Sequence, residues 1–479
     1  MNKKLTEVFA KTKILCTLGP ATQDPESIKN LILAGIDGVR LNFSHGDKAF
    51  YENIYNSIHE ACIEENTPLS VLVDLQGPKI RIGELEKNEV EIITGNQIEI
   101  TTKNVKGNEK LISTSYKKLA DDAAVGDLVL IDDGLIRMKI IDKKNSSIIC
   151  NIINGGILYP RKGMNLPGMK LSAPSITEKD YENLEFILKH RVDYIALSFV
   201  RSANDIIELR EWLRRKNVEK NIIAKIEKKE GVDNFDEILK TADGIMIARG
   251  DLGVELPPQD VPVIQKEIIK KCNAVGKIVI TATQMLESMI HNPIPTRAEA
   301  SDVANAVWDG TDAVMLSGET SIGNFPIKTV SIMNDIIKMA DKHIIPKPDI
   351  DYLVPANADD NLFDSIGRAV VSISRQISAS AIVVFTYKGR TAINLSKFKP
   401  KAKIIALSNS FETMNLLCLR WGVASFFFKE IDKEHLAIEK VKKIILESGH
   451  VNSGDTVIFT AGAPYSEKSR ANWLRFEIM

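Results

Sequence analysis

Short apolar runs recur along the first two thirds of the chain, each separated from the next by a stretch of helical period. In order they are KILCTL, GVRLNF, SVLVDL, YIALSF, IIAKI, GIMIAR, IVITAT and AVMLSG. They are rich in Val and Ile, and most lack a clean polar alternation, as expected of strands buried on both faces of a parallel sheet. The intervening DPESIKNLILAG opens with Asp24-Pro25, a good N-cap and first-turn pair, and NFDEILKTA and PVIQKEIIKKCNAVG also read as helices. Strand–helix units repeated in this way predict an α/β protein built on a (β/α)8 TIM barrel, with a doubly wound open sheet as the alternative.

The period changes twice. Over residues 78–161 the pattern turns β-like and turn-rich (EVEIITGNQIEITT, VGDLVLIDDGLIRMKIID, SSIICNIINGG) with no long amphipathic helix. This predicts an all-β domain inserted after the third strand, over the C-terminal mouth of the barrel, where it acts as a lid. The barrel is accordingly expected over residues 1–77 and 162–342. Residues 343–360, rich in Pro and polar side chains, read as a linker. Alternating helices and strands then predict a C-terminal α/β domain over 361–479: LFDSIGRAVVSISRQ, AIVVFT, TAINLSKF, AKIIALS, FETMNLLCLRW, ASFFF, HLAIEKVKKIILESG and TVIFTAG.

Composition narrows the function classes. The 479 residues carry 62 basic and 63 acidic side chains, a formal net charge of -1, which argues against a nucleic-acid or membrane-surface partner for the whole chain. No apolar run approaches the roughly 20 residues that cross a bilayer. The start, MNKKLTEVFAKTK, has no apolar segment of secretory length, so a cytoplasmic location is expected. The cysteines (Cys16, Cys62, Cys150, Cys272, Cys418) are scattered and form no C-x-x-C pair, which disfavours a disulfide framework or zinc site.

The candidate chemistry lies where the predicted strands end. The second ends in Arg40-Leu41-Asn42-Phe43-Ser44-His45, the third in Asp74, the fifth in Lys225-Ile226-Glu227, the sixth in Arg249-Gly250-Asp251, the seventh in Thr283-Gln284 and the eighth in Ser317-Gly318-Glu319. Lys225 and Glu227 are two apart on a strand and project to one face. Either they form an ion pair that supports the barrel, or the lysine meets an anionic substrate while the glutamate holds a metal. Glu227 and Asp251, from adjacent strands, suit Mg2+, a hard ion that keeps several waters. Arg40 adds a fixed positive charge, and the whole describes a phosphoryl or carboxylate site. There is neither a Walker A loop nor a well-placed G-x-G-x-x-G, so a nucleotide would be held without either.

LNFSHG, KIEKKEG, IMIARGDLGVELP and TATQMLESMIHNPIPTRAEASDVANAVWDGTDAVMLSGET closely resemble the pyruvate kinase family, and the resemblance extends over nearly the whole chain. It implies Mg2+-dependent (or Mn2+-dependent) phosphoryl transfer from phosphoenolpyruvate to ADP, followed by protonation of the enolate to pyruvate, in a homotetramer. It implies that Arg40 holds the transferring group, that Lys225 stabilises its charge, and that Glu227 and Asp251 bind the metal. Gly250 and Thr283 would hold the substrate carboxylate, and Thr283 and Ser317 would serve proton delivery. Arg81, Lys162 and residues Asn42, Phe43, Ser44 and His45 would lie along the nucleotide, and Asn42, Ser44, Asp74 and Leu75 would correspond to a monovalent-cation site. Replacing Lys225 with Met is expected to abolish transfer and leave the fold intact. A Mg2+-dependent barrel lyase or aldolase acting on pyruvate-type acids is the alternative, but it leaves the inserted domain and the long last motif unexplained.

Two stretches, DLQGPKIR and the final AGAPYSEKSRANWLRFEIM, depart from the family's commonest pattern. DLQGPKIR has Lys79 where cation-dependent members carry glutamate, so a tethered ammonium is expected to replace K+. FTYKGRTA, with Thr386, Lys388, Gly389, Arg390 and Thr391, has the strand, cationic Gly turn and helix start that suit a phosphorylated effector. An ordinary β–α turn with surface cations is the other reading, and AGAPYSEKSRANWLRFEIM replaces the more Gly-rich segment that usually closes over the effector.

Overall fold

The structure is a computed structural model and describes residues 7–343, 358–429, 434–462 and 470–479. Each of the eight apolar runs forms a strand: Lys13–Thr17, Gly38–Asn42, Ser70–Asp74, Tyr194–Leu197, Asn221–Ile226, Gly244–Ala248, Ile278–Ala282 and Ala313–Leu316. They pair in chain order into a closed barrel, and the last meets the first in parallel from Lys13–Ala313 to Cys16–Leu316. The open-sheet alternative is therefore excluded.

The uninterrupted apolar runs have a simple cause. Alternate strand residues such as Leu15, Leu72, Ala196, Ile223, Met246 and Ile280 fill the lumen. Their neighbours Ile14, Val71, Val73, Ile222, Ile245 and Val279 pack outward against the helices. Both parities are buried, so neither can be polar until the strand ends. Helix Pro25–Ala34 starts where expected, with Asp24 accepting from the Ser27 amide at 2.9 Å, and Gly35 closes it with a φ of +111°, in the left-handed region that favours glycine.

After Asp74 the chain leaves the barrel and forms a six-stranded sheet, in the order Met164–Asn165, Leu128–Ile131, Ile136–Lys144, Ser147–Asn154, Gln97–Thr101 and Leu111–Ser113, with a two-stranded ribbon beside it. Its only helix among the described residues is the single turn Leu119–Asp122. Ile98, Ile100, Val129, Ile131, Met138 and Ile152 give this sheet a core of its own, separate from the barrel's.

Helix Ala358–Gln376 starts inside the stretch expected as linker, and residues 344–357 of that stretch lie outside the described residues. The domain that follows has a five-stranded sheet in the order Val423–Phe427, Lys403–Ser408, Ala381–Phe385, Thr456–Ala461 and Trp473–Ile478, parallel except for the last strand. Sequence patterning did not indicate where this domain sits. It closes the N-terminal end of the barrel. Leu419 is fully buried among Leu15, Leu72, Met246 and Met315 of the lumen, the Tyr194 hydroxyl donates to the Leu416 carbonyl at 2.9 Å, and Lys399 pairs with Asp312. A Cβ on Gly38 would come within 2.9 Å of Leu419 Cδ2, so glycine permits this approach.

Because Leu419 fills the barrel floor, Leu419→Ala is expected to destabilise the protein by about 2–5 kcal/mol, read as a lower midpoint of urea unfolding.

Candidate active site

Period-two geometry builds the site. The lumen-facing residues continue past the apolar core into Thr17, Arg40, Asp74, Ser198, Lys225, Glu227 and Ser317, each an even number of residues beyond a lumen position or in register with one. At the C-terminal mouth polar groups replace apolar ones. Arg40 Nε and Nη2 donate to Asp74 Oδ2 at 2.8 and 2.6 Å, and Arg40 Nη1 donates to Thr17 Oγ1 at 3.0 Å. Lys225 Nζ lies 3.2 Å from Asp74 Oδ1 and 2.8 Å from Glu227 Oε1, and donates to Ser198 Oγ at 2.8 Å. The two acids are almost completely buried, at 1% exposure each.

This cluster sets its own protonation. Burial works against charge on Lys225, but Asp74 and Glu227 outweigh it and hold the ammonium well above its ordinary pKa. Burial also pushes the Asp74 carboxyl up, yet Lys225 and Arg40 bring it below the usual carboxylate value. Glu227 goes the other way: burial raises it, Lys225 opposes, and Asp251 and Asp74 add repulsion. A cation between Glu227 and Asp251 would relieve that repulsion, so the donor set fits a divalent metal. Among the described residues no group of three or more His, Cys, Asp or Glu side chains gathers in a metal-binding cluster. A metal here would complete its shell with water and substrate oxygens, as Mg2+ does.

Thr283 sits at a φ of +67° and Gln284 at +54°, an unfavourable conformation for a β-branched residue. Arg249 holds the turn by donating to the carbonyls of Thr283 and Gln284 at 2.7 and 3.2 Å, and it is itself paired with Asp302. Thr283 Oγ1 accepts the Gly250 amide at 2.7 Å, so that N–H, expected to face the substrate carboxylate, is already engaged by the protein. The Ser317 hydroxyl oxygen is buried and has no hydrogen-bond partner among the described residues.

The nucleotide candidates lie around this cluster, whereas the cation candidates Asp74 and Leu75 are buried within it. Phe43 stacks on Tyr51 with ring centroids 4.0 Å apart, and the Asn42 side chain accepts from the Ser44 amide at 3.2 Å. Arg81 and Lys162 are neighbours across the base of the lid. Arg81 donates to the Arg161 carbonyl at 2.8 Å, and Lys162 is paired with Asp132 at 2.8 Å. Lys79, Asp133, Lys228 and Asp251 line one cleft between lid and barrel. Thr386, Lys388, Gly389, Arg390 and Thr391 lie far away in sequence, in the C-terminal domain, running from the end of strand Ala381–Phe385 into the first residues of helix Arg390–Lys397, with Gly389 at a φ of +79°. Ser198, Thr17 and Arg249 are the participants that sequence reasoning assigned no role. The first two share the lumen parity, a signal that would have found them.

The buried lysine also changes one expectation. Lys225→Met leaves Asp74 and Glu227 without their shared counter-ion, so it is expected to cost about 3–5 kcal/mol of stability, checked by chemical denaturation. His45, at the rim, has its imidazole pKa lowered from 6.5 by desolvation and then by Lys79, Arg81, Arg40 and Lys179. Lys79→Glu replaces a repelling charge with an attracting one and should raise the His45 pKa in an NMR titration.

The pyruvate kinase barrel-domain family matches residues 9–330, and the pyruvate kinase alpha/beta-domain family matches residues 364–476. The pyruvate kinase of Geobacillus stearothermophilus is 42% identical over 472 residues, covering 98% of this chain and 80% of that protein. That of Staphylococcus aureus (strain MRSA252) is 40% identical over 474 residues, with the same shares covered. The crystal structure of a pyruvate kinase from Cryptosporidium parvum superimposes with a TM-score of 0.90 at 36% identity, over 100% of this chain and 97% of that one. The chain therefore belongs to the pyruvate kinase family, and it is a phosphotransferase.

Proposed function

We propose that this enzyme transfers the phosphoryl group of phosphoenolpyruvate to ADP in a Mg2+- or Mn2+-dependent reaction and protonates the enolate to pyruvate, the final step of glycolysis. The observation that carries this reading is the buried Arg40–Asp74–Lys225–Glu227 cluster at the barrel mouth beneath the inserted domain. Phosphoryl transfer needs charge neutralisation and in-line positioning more than covalent chemistry. Glu227 and Asp251 would hold the metal, which when bound supplies a Lewis acid for the phosphoryl oxygens. Arg40 and Lys225 place two fixed positive charges beside the same oxygens. Because Asp74 and Glu227 keep Lys225 protonated, it serves as a charge and not as a Schiff-base nucleophile, which disfavours the aldolase reading.

Thr283 and the Gly250 region orient the substrate carboxylate, and Thr283 with the buried Ser317 hydroxyl relays the proton. Arg81, Lys162 and the Asn42–His45 segment bind the nucleotide. The monovalent-cation positions already have protein partners: Asp74 is paired with two cations, the Leu75 carbonyl accepts from Ser198 at 2.7 Å, and Asn42 takes the Ser44 amide. With Lys79 at the cleft, K+ is dispensable. A cytoplasmic homotetramer, with a phosphorylated effector at the Thr386–Thr391 turn, completes the proposal. No helix among the described residues is long and apolar enough to cross a membrane.

Phosphoenolpyruvate plus ADP and Mg2+ should yield pyruvate in a coupled assay, and Lys225→Met should lower turnover by at least about 100-fold; near-normal turnover would overturn the role of the lysine. Turnover should persist in tetramethylammonium salts without K+, whereas Lys79→Glu should become K+-dependent.

A further inference from the structure

The pair Ser198–Phe199, just past the fourth barrel strand, touches both the charge cluster and the point where the chain departs for the lid. The Ser198 hydroxyl accepts from Lys225 Nζ at 2.8 Å and donates to the Leu75 carbonyl at 2.7 Å. The Phe199 amide donates to Glu227 Oε2 at 2.6 Å, and Phe199 has a φ of +54°. That is a strained conformation for an aromatic residue, of the kind that persists only where surrounding contacts impose it.

The ring of Phe199 lies directly under the outgoing crossing to the lid. A Cβ on Gly77, itself at a φ of +64°, would lie 2.9 Å from Phe199 Cδ2 and 3.2 Å from Ser198 Cβ. Phe199 also lines the lid–barrel cleft together with Pro78, Lys79 and Asp251. The returning crossing is tied to the outgoing one through the buried Asp180. Its Oδ1 accepts the Gln76 and Gly77 amides at 3.0 and 3.4 Å, and its Oδ2 accepts the Thr177 amide at 2.9 Å. A shift of the Phe199 ring therefore reaches both crossings.

We propose that Phe199 is a positioning residue that couples occupancy of the Glu227 carboxylate to the posture of the lid. The proposal rests on the reading of Glu227 and Asp251 as a metal pair. Both Glu227 oxygens are engaged, Oε1 by Lys225 and Oε2 by the Phe199 amide. Glu227 and Asp251 would hold a divalent ion through these same carboxylates, which would weaken the Phe199 amide bond that maintains the strained φ. The backbone of Phe199 then has two arrangements, left-handed when its amide is held and relaxed when it is released, and the ring beneath Gly77 moves between them. Such an element, biased by one site and felt at another, is the physical requirement for coupling.

The test uses the full chain without nucleotide. Mn2+ binding is followed by electron paramagnetic resonance, and hydrogen exchange is followed by mass spectrometry at segments 72–82 and 171–180 with and without Mg2+. In the parent chain Mg2+ should change exchange at these segments by at least about fivefold. In Phe199→Ala the change should fall below about twofold while Mn2+ affinity stays within about threefold, because both carboxylates remain. Phe199→Leu, which keeps bulk under Gly77, should restore part of the response and decides the matter if the alanine variant does not fold. Absence of Mn2+ binding to the parent chain overturns the metal reading and the coupling together. Binding with unchanged exchange, or an undiminished Mg2+ response in Phe199→Ala, overturns the coupling alone.

Discussion

A lysine ammonium buried at a barrel mouth must be neutralised, and much of the site follows from that requirement. Lys225 needs Asp74 and Glu227. Asp74, buried in turn, needs Arg40, and Arg40 leans on Thr17. Each member removes the desolvation penalty of the next, so the cluster is stable only when complete, and loss of one member leaves its partner charged and out of water. Glu227 is the least settled member, because Lys225 offsets only part of the effect of burial and of two neighbouring acids. A cation placed between Glu227 and Asp251 would offset that remaining repulsion.

The barrel gives the cluster a graded environment along one axis. At its N-terminal end the lumen is closed by apolar side chains that include Leu419 of the C-terminal domain. At its C-terminal end the same strand faces present ionised groups beneath the inserted sheet. A change of two residues along a strand carries a side chain from one regime to the other: Ile223 lies in the apolar lumen and Lys225 in the ion cluster. This steep transition keeps the charges at the mouth and removes water from their lower side.

The barrel was legible because both parities of each strand are buried, which leaves unbroken Val and Ile runs that a surface sheet would not show. The inserted domain was legible because the period switches from helical to alternating after Asp74. The charged site residues were legible because they stand at strand ends, where an ionised group must have a reason. Ser198 was not: a hydroxyl carries no charge, and its importance comes from three neighbours brought from other strands. The strain at Thr283 and Phe199 was illegible for another reason, since a φ above zero is fixed by tertiary contacts such as those of Arg249 and Glu227 and not by residue type. The docking of Leu419 into the barrel joins segments hundreds of positions apart, and local periodicity has no access to such a pairing.

Two of the three units differ in one respect with a wider meaning. The inserted sheet encloses its own apolar core, so it can rotate, or be exchanged for another sheet of similar crossing geometry, without opening the barrel. The C-terminal domain has apolar cores of its own and in addition contributes Leu419 to a core that belongs mainly to the barrel. In thermodynamic terms the barrel leans on the C-terminal domain for part of its own core and does not lean on the inserted sheet in that way. Cutting the chain before the C-terminal domain would leave a barrel with a hole in its floor, and any signal that loosens that domain must be felt in the lumen below Lys225.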